Sequence, residues 1–162
     1  MTHEPLLALD GLTHVFQSRH GEVRAVNDVT LSLDAGKVLC LVGQSGSGKS
    51  TTAKIACGLI RPTKGSVRFQ GQDIHAAGKQ GLKTFRRSVQ YVHQDPYSSL
   101  NPTQDVFTIL STPLRRHRLV KSRTEAWQRA GELLEQVGLT PVDVFLQKFP
   151  HQLSGGQRQR VG

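Results

Sequence analysis

The chain has 162 residues, with 21 Lys and Arg against 12 Asp and Glu, and a formal net charge of +9. This length fits one domain with a moderate core. No apolar run approaches the roughly 20 residues of a membrane span, the first residues lack the basic-then-apolar order of a signal peptide, and two cysteines are too few for a disulfide framework. We therefore expect a cytoplasmic protein in which Cys40 and Cys57 are small buried side chains.

The N-terminal segment predicts antiparallel strands. Apolar positions alternate loosely between Leu6 and Phe16 around an expected turn at Gly11. Residues 23–26 and 29–33 predict two more strands, separated by a polar pair. Phe16 stands where an aromatic ring can stack on an adenine, and a plain core or edge position explains it equally well.

A glycine-rich stretch follows the apolar run 38–42, which predicts a strand, and precedes residues 52–57, which predict a helix. This strand-to-helix context is the one that the phosphate-loop pattern G-x-x-x-x-G-K-[ST] requires. A simple turn between a strand and a helix is the alternative. The stretch consists of Gly43, Gln44, Ser45, Gly46, Ser47, Gly48, Lys49, Ser50 and Thr51.

The residue types in this stretch suit a nucleotide polyphosphate. Gly43, Gly46 and Gly48 let the backbone turn tightly and approach the ligand, because they carry no Cβ. Successive amides and a helix N-terminus then face the anion. Lys49 supplies a charge for the β- and γ-phosphates, and Ser50 supplies a hydroxyl for Mg²⁺. The stretch therefore predicts binding of ATP with Mg²⁺.

The middle of the chain predicts a return to strands and then a polar loop. The phosphate-loop helix ends near Gly58, residues 66–70 predict a strand, and residues 82–87 predict a short basic helix. Residues 89–93 read as a buried strand. The proline-bounded loop 94–102 follows it, at the strand end where α/β folds place ligand groups.

From Val106 onward the apolar periodicity is helical. Ser122 or Thr124 is expected to cap a helix over 125–137 that ends at Gly138. An apolar stripe on this helix predicts that its tryptophan packs into a core. The stripe consists of Ala126, Trp127, Ala130, Leu133, Leu134 and Val137.

The sequence Leu153-Ser154-Gly155-Gly156-Gln157 is, by itself, a polar turn that caps a helix. Together with the phosphate loop upstream and Gln94 between the two, it resembles the signature of the ATP-binding cassette. The order of these motifs is similar to that in ATPase subunits of ABC transporters. The sequences of residues 94–102 and 150–160 most closely resemble those of the ATPase subunits of bacterial oligopeptide and dipeptide importers.

The resemblance implies an α/β fold: a P-loop NTPase (ABC ATPase) core, here incomplete, with an N-terminal antiparallel β subdomain and a helical subdomain. The chain would be a partial ATP-binding domain over 1–162. Its expected parts are 1–37 and 65–75 for the antiparallel β subdomain, 38–64 and 82–95 for the P-loop core, and 103–157 for the helical subdomain and signature.

The resemblance also implies a role for each site residue. Phe16 would stack on adenine, and the phosphate loop would hold the phosphates. Gln94 would be catalytic, reaching the attacking water and, with Ser50, the Mg²⁺ ion. A second, head-to-tail ATPase subunit would place its ATP against the signature. The signature residues expected to contact that ATP are Ser154, Gly155, Gly156 and Gln157.

Partners follow from the same resemblance. The Asp95–Pro102 loop would contact transmembrane permease subunits, which would hold the protein peripherally at the cytoplasmic face of the inner membrane. We expect no nucleic-acid partner, because the basic stretch 115–123 has no aromatic interleaving and fits a solvated face.

The sequence departs from the family pattern in one respect. It contains no apolar strand ending in a Mg²⁺-binding Asp and a neighbouring Glu, and no switch His. We therefore expect a truncated record of a longer subunit, inactive alone and with unpaired strands at a buried edge. Two alternatives stay open: a non-hydrolysing nucleotide-binding or regulatory fragment that docks through the Asp95–Pro102 loop, and a soluble ABC-type ATPase acting on DNA or ribosomes.

Overall fold

The computed structural model describes residues 4–19, 21–93 and 100–162. The chain divides into two compact units, Met1–Tyr91 and Val92–Gly162. Gln94 and most of the Asp95–Pro102 loop lie outside the described residues.

The first unit contains a four-stranded antiparallel sheet, as the sequence predicts. Leu9 lies opposite Leu31 of one neighbouring strand and opposite Val67 of the other. These apolar neighbours place one face of the sheet against the core of the unit. The strands are β1 (Leu7–Ser18), β2 (Gly21–Leu33), β3 (Lys64–Phe69) and β4 (Gln72–Asp73). Their order across the sheet is β2-β1-β3-β4.

Two predicted breaks in the strands are bulges instead. The prediction of a turn at Gly11 is wrong, because β1 continues through it at a register shift, and β2 likewise runs through Asp28. Both residues have positive φ, 55° and 50°. Their amides donate to the hydroxyls of Thr30 and Thr13, at 3.0 and 3.1 Å. Side-chain acceptors thus satisfy amides near the bulges, and the chain need not reverse.

Two helices pack on the sheet: α1 (Lys49–Ala56) and α2 (Gly78–Ser88). Helix α2 begins at Gly78 rather than at Leu82, so the segment 78–81 is helical and not a loop. Ile55 from α1 and Phe85 from α2 are buried in one core cluster with apolar side chains of the sheet.

The predictions of strands over 38–42 and 89–93 are wrong. A strand needs a neighbour for its backbone groups, and none of β1–β4 pairs with either segment among the described residues. Val38 and Val42 are 95% and 92% exposed, so solvent reaches this segment and the buried unpaired edge does not form.

The same exposure corrects the prediction for the cysteines. Cys40 is exposed and not buried, whereas Cys57, just beyond α1, is half-buried. Burial raises the pKa of the Cys57 thiol above its ordinary value of 9.0.

The second unit is helical. Asp105 and Ser122 cap its first two helices by accepting backbone N–H groups at 2.7 and 3.0 Å. Of the two predicted caps for the second helix, Ser122 is therefore the one used. The elements are α3 (Val106–Arg116), α4 (Arg123–Gln136), α5 (Val142–Leu146), a 3-10 turn (Pro150–Gln152) and α6 (Gly155–Val161).

The core of the second unit confirms most of the apolar stripe on α4, but Val137 lies beyond the end of the helix and is exposed. Leu134 is 1% exposed, and Trp127 packs partly buried against the same cluster. The Trp127 indole donates to Asp143 Oδ1 at 3.2 Å. Gly138 follows the helix with a φ of 68°, as expected of a helix terminator. Among the described ranges of the chain, no helix is both long and apolar enough to cross a membrane.

Candidate functional site

The phosphate loop lies against β2. Gly46 and Gly48 have φ values of 81° and 89°, in the left-handed region that favours glycine. A Cβ at Gly48 would lie 2.1 Å from the carbonyl oxygen of Ala25, and a Cβ at Gly43 would lie 2.9 Å from Ser47 Oγ. Gly46 and Gly48 are therefore needed for the turn, and Gly48 also for the close approach to the sheet, whereas a side chain at Gly43 would require the Ser47 hydroxyl to shift.

Lys49 is the first residue of α1, and its side chain folds back over the loop. Its Nζ donates to the carbonyl oxygens of Gly43 and Gln44, at 2.7 and 2.6 Å, and to Ser47 Oγ at 3.3 Å. These acceptors are neutral, so phosphate oxygens would be stronger partners for the ammonium group. The loop thus holds a positive charge beside the N-terminal end of a helix, an arrangement that suits a polyphosphate.

The first turn of α1 carries two hydroxyl groups with different roles, one that bonds to the loop backbone and one that is open to solvent. Thr52 is buried, and both its amide and its Oγ1 donate to the Gly48 carbonyl, at 2.8 and 3.0 Å. Ser50 is exposed beside Lys49, and Thr51 is half-buried. Ser50 therefore has the accessible hydroxyl that Mg²⁺ binding requires. Sequence reasoning missed the anchoring role of Thr52, although a threonine four residues after a loop glycine is a signal for it.

Phe16 belongs to the strand pair that carries the loop. It lies opposite Val23 of β2, and Gly48 approaches β2 at Ala25, two positions further along that strand. The Phe16 ring is 42% exposed and contacts His14 edge to face, with 4.5 Å between ring centroids. An aromatic surface and a phosphate loop thus share the β1–β2 pair, as an adenine nucleotide would need.

The signature segment begins α6 in the second unit. Ser154 Oγ accepts the Gln157 amide at 3.3 Å, and Gln157 Oε1 accepts the Ser154 amide at 2.9 Å. This reciprocal capping box fixes the first turn, while the buried Leu153 anchors the residue before it. Gly155 is half-buried, and Gly156 is exposed with open space where a Cβ would lie. The segment therefore presents an open, small-residue tip to any partner.

The candidate catalytic residue, Gln94, lies outside the described residues, as does the segment 95–99. The end of that loop is described. Leu100 is 6% exposed in the helical core, and Asn101 Oδ1 accepts the Thr103 amide at 3.1 Å. The helical unit therefore anchors the C-terminal end of the loop.

The basic stretch of the second unit faces solvent. Its cationic residues Arg115, Arg116, Arg118, Lys121 and Arg123 are all exposed. The Arg123 guanidinium lies over the Phe107 ring, 5.4 Å from its centroid, so part of this charge covers the helical core.

The phosphate loop, the capped signature and the sheet on which the loop rests define a nucleotide-binding cassette. The family model "ABC transporter" matches residues 26–162, and the chain belongs to that family. Its fold is that of the ABC ATPases.

Curated relatives of this chain are peptide-transport proteins. It is 42% identical over 160 residues to the oligopeptide transport ATP-binding protein OppF of Bacillus subtilis, covering 98% of this chain and 52% of OppF. It is 44% identical over 142 residues to the di/tripeptide transport ATP-binding protein DppF of Pseudomonas aeruginosa, covering 88% of this chain and 43% of DppF. The chain thus spans about half the length of the curated relatives it matches.

Solved structures share the fold. A dimeric, post-hydrolysis state of the ATP-binding cassette MJ0796, bound to ADP and Pi, superposes with a TM-score of 0.79 at 30% identity. The match covers 96% of this chain and 66% of that one. A further ATP-binding subunit of an ABC transporter superposes with a TM-score of 0.69 at 29% identity, covering 96% of this chain and 59% of that one.

Proposed function

We propose that this chain is the ATP-binding part of a subunit that energises an ABC importer of peptides or related solutes. The observation that carries the proposal is the Lys49 ammonium group, held over a glycine cradle at the start of α1. The names of the relatives, OppF and DppF, support peptides as the transported class.

Each part of the site has a task in this function. Residues 43–51 hold the triphosphate of ATP, and Lys49 exchanges neutral carbonyl partners for phosphate oxygens. Phe16 stacks on the adenine ring. Ser50 and Gln94 hold Mg²⁺, which neutralises phosphate charge when bound. The work of the protein is positioning and charge stabilisation, since phosphoryl transfer needs little covalent participation from it.

The partners in this function are a second ATPase subunit and transmembrane permeases. The dimeric state of the MJ0796 cassette supports the first. We assign the open tip at Ser154–Gln157 to the ATP of the head-to-tail neighbour, because small residues and helix-start amides suit phosphate oxygens. The Asp95–Pro102 loop contacts the permease, so the protein lies peripherally at the cytoplasmic face of the inner membrane.

The assignment of the loop is tested by Lys49→Ala in the intact subunit, with Lys54→Ala on the same helix as a control of equal charge. ATP binding, followed by isothermal titration calorimetry, should be largely lost in Lys49→Ala and kept in Lys54→Ala. Unchanged ATP affinity in Lys49→Ala would refute the assignment.

The signature is tested by Ser154→Arg in the intact subunit. ATP binding should persist while ATP turnover stops, because the arginine blocks the surface that meets the neighbour's nucleotide. Retained turnover together with normal dimer formation would contradict the signature assignment.

A further inference from the structure

A second cavity lies in the first unit, beyond the C-terminal end of α1, whereas the phosphate loop lies at the N-terminal end. Its volume is about 380 Å³. Four side chains that can carry positive charge line it: Arg61, His75, Lys79 and Arg86. Within the described part of the chain, the lining contains no Asp or Glu.

The backbone fixes the wall of this cavity. Arg86 Nη2 on α2 donates to the Gly58 carbonyl at 2.6 Å, so the arginine is held across the gap between the end of α1 and α2. Gly58 has a φ of 66°, and a Cβ there would lie 3.1 Å from both Leu82 and Phe85. One wall of the cavity is therefore made of packed residues, whereas Arg61, Lys79 and Arg86 are exposed to solvent.

The acid that acts on His75 is Asp73, and its carboxylate is already engaged. Asp73 Oδ1 accepts the amides of His75 and Ala76, at 2.7 and 3.0 Å. Its carboxylate therefore stabilises the turn between β4 and α2, and Asp73 is not among the residues that line the cavity. Among the described residues, Arg61, Lys79 and Arg86 form no ion pair with an acid.

His75 lines the same cavity and is affected by the positive charges of Arg61 and Arg86. Its Nε2 is buried and has no hydrogen-bond partner among the described residues, although such atoms normally have one. Burial lowers the pKa of His75 below its ordinary value of 6.5, and the charges of Arg61 and Arg86 lower it further, against the opposing effect of Asp73. Protonation of the ring is therefore disfavoured first by burial and then by the positive charge of the two arginines.

We propose that this cavity binds the phosphate group of a small molecule, at a site separate from the phosphate loop. Arg61, Lys79 and Arg86 supply charge-assisted donors, which suit tetrahedral oxyanions. His75 lines the same cavity, so the charge of a bound anion acts on its ring. The volume lies within the range of small-molecule sites and exceeds that of a bare phosphate ion, so the ligand is a phosphorylated small molecule.

The test follows the His75 ring by NMR in the full chain, with the phosphate loop filled by Mg²⁺ and a non-hydrolysable ATP analogue. His75→Gln identifies the resonance. Inorganic phosphate and glycerol phosphate are then added at constant ionic strength, with chloride as the reference anion. A bound anion should raise the pKa of His75, because negative charge nearby favours the protonated ring.

Two substitutions test the charges on the wall. Arg61→Gln and Lys79→Gln should each weaken phosphate binding about tenfold, as expected for loss of one charge-assisted hydrogen bond. Lys83→Gln is the matched control, since it removes the same charge from an exposed position of α2 outside the cavity. Far-UV circular dichroism checks the fold of each variant. If a variant fails to fold, the His75 titration in the unsubstituted chain still tests the proposal.

Three results would overturn the proposal. The first is a His75 pKa that responds equally to phosphate and to chloride. The second is an equal loss of binding in Lys83→Gln and Lys79→Gln. The third is binding to vesicles containing phosphatidylglycerol without any response to the two soluble phosphates, which would assign the cations to a lipid surface. A failed Lys49→Ala test at the phosphate loop would leave all three results interpretable, because His75 reports only on its own cavity.

Discussion

Replacing Gly48 and Gly46 separately by alanine distinguishes the two physical reasons for glycine in the phosphate loop. Alanine at Gly46 must adopt a φ of 81°, with nothing within 4 Å of its Cβ. Its cost is the left-handed conformation alone, about 1–2 kcal/mol. If all of this strain falls on the binding-competent loop, ATP affinity decreases by about tenfold.

Alanine at Gly48 has the same conformational cost and a steric one in addition. Its Cβ would lie 2.1 Å from the Ala25 oxygen, whereas ordinary contact begins at 3.4 Å. The loop must therefore move back from β2 by about 1.3 Å, the difference between these two distances. A shift of this size takes loop amides out of hydrogen-bonding range of the phosphate oxygens, and a hydrogen bond to a charged group contributes about 1.5–3 kcal/mol. Together with the conformational cost, we expect ATP affinity to fall by about 10²-fold or more.

The assay is equilibrium binding of a fluorescent ATP analogue with Mg²⁺, combined with urea unfolding of each variant. Gly36→Ala is the control, since it imposes a similar left-handed conformation, with a φ of 72° and nothing within 4 Å of its Cβ, at a turn outside the phosphate loop. It should leave binding unchanged. Equal losses for Gly46→Ala and Gly48→Ala would show that the approach of the loop to Ala25 has no role in positioning it.

Three further predictions concern stability and thiol chemistry. Leu134→Ala should lower the free energy of unfolding of the helical unit by about 2–5 kcal/mol. Val144→Ala, at a side chain that is 50% exposed, should change it little. Equal losses of unfolding free energy for the two variants in urea titrations would contradict the assigned core. Ser122→Ala removes a cap bond of 3.0 Å and should cost about 1 kcal/mol, a loss that Ser122→Asp should largely avoid in thermal melts. Cys40 should react with a disulfide reagent before Cys57, and the rate at Cys57 should keep rising above pH 9.0, because burial raises its pKa; a faster Cys57 at neutral pH would contradict this order.

Local chemistry made the helix starts and the sheet predictable. Ser122 and Ser154 cap helices as expected because a side-chain oxygen serves an amide only two or three residues away. The alternating apolar positions of β1 and β2 likewise point to the sheet's buried face without knowledge of their neighbours. What failed was the treatment of Gly11 as a turn, since hydroxyls from other strand positions hold the strand pair together through the bulge.

The predicted strand over 38–42 shows the opposite case. Its apolar residues favour a strand, but strand formation depends on a partner supplied by another part of the chain, and the described sheet provides none. Tertiary structure alone therefore decided that Val38 and Cys40 are exposed.

The glycine spacing and the position of Lys49 were by themselves enough to predict a phosphate loop, because every contact within that loop joins residues a few positions apart. Only the folded structure revealed that Gly48 lies against Ala25 and that Arg61, His75, Lys79 and Arg86 line one cavity. The physical reason is separation along the chain: a sequence pattern specifies geometry over about one helical turn, whereas the meeting of distant segments depends on how the core packs.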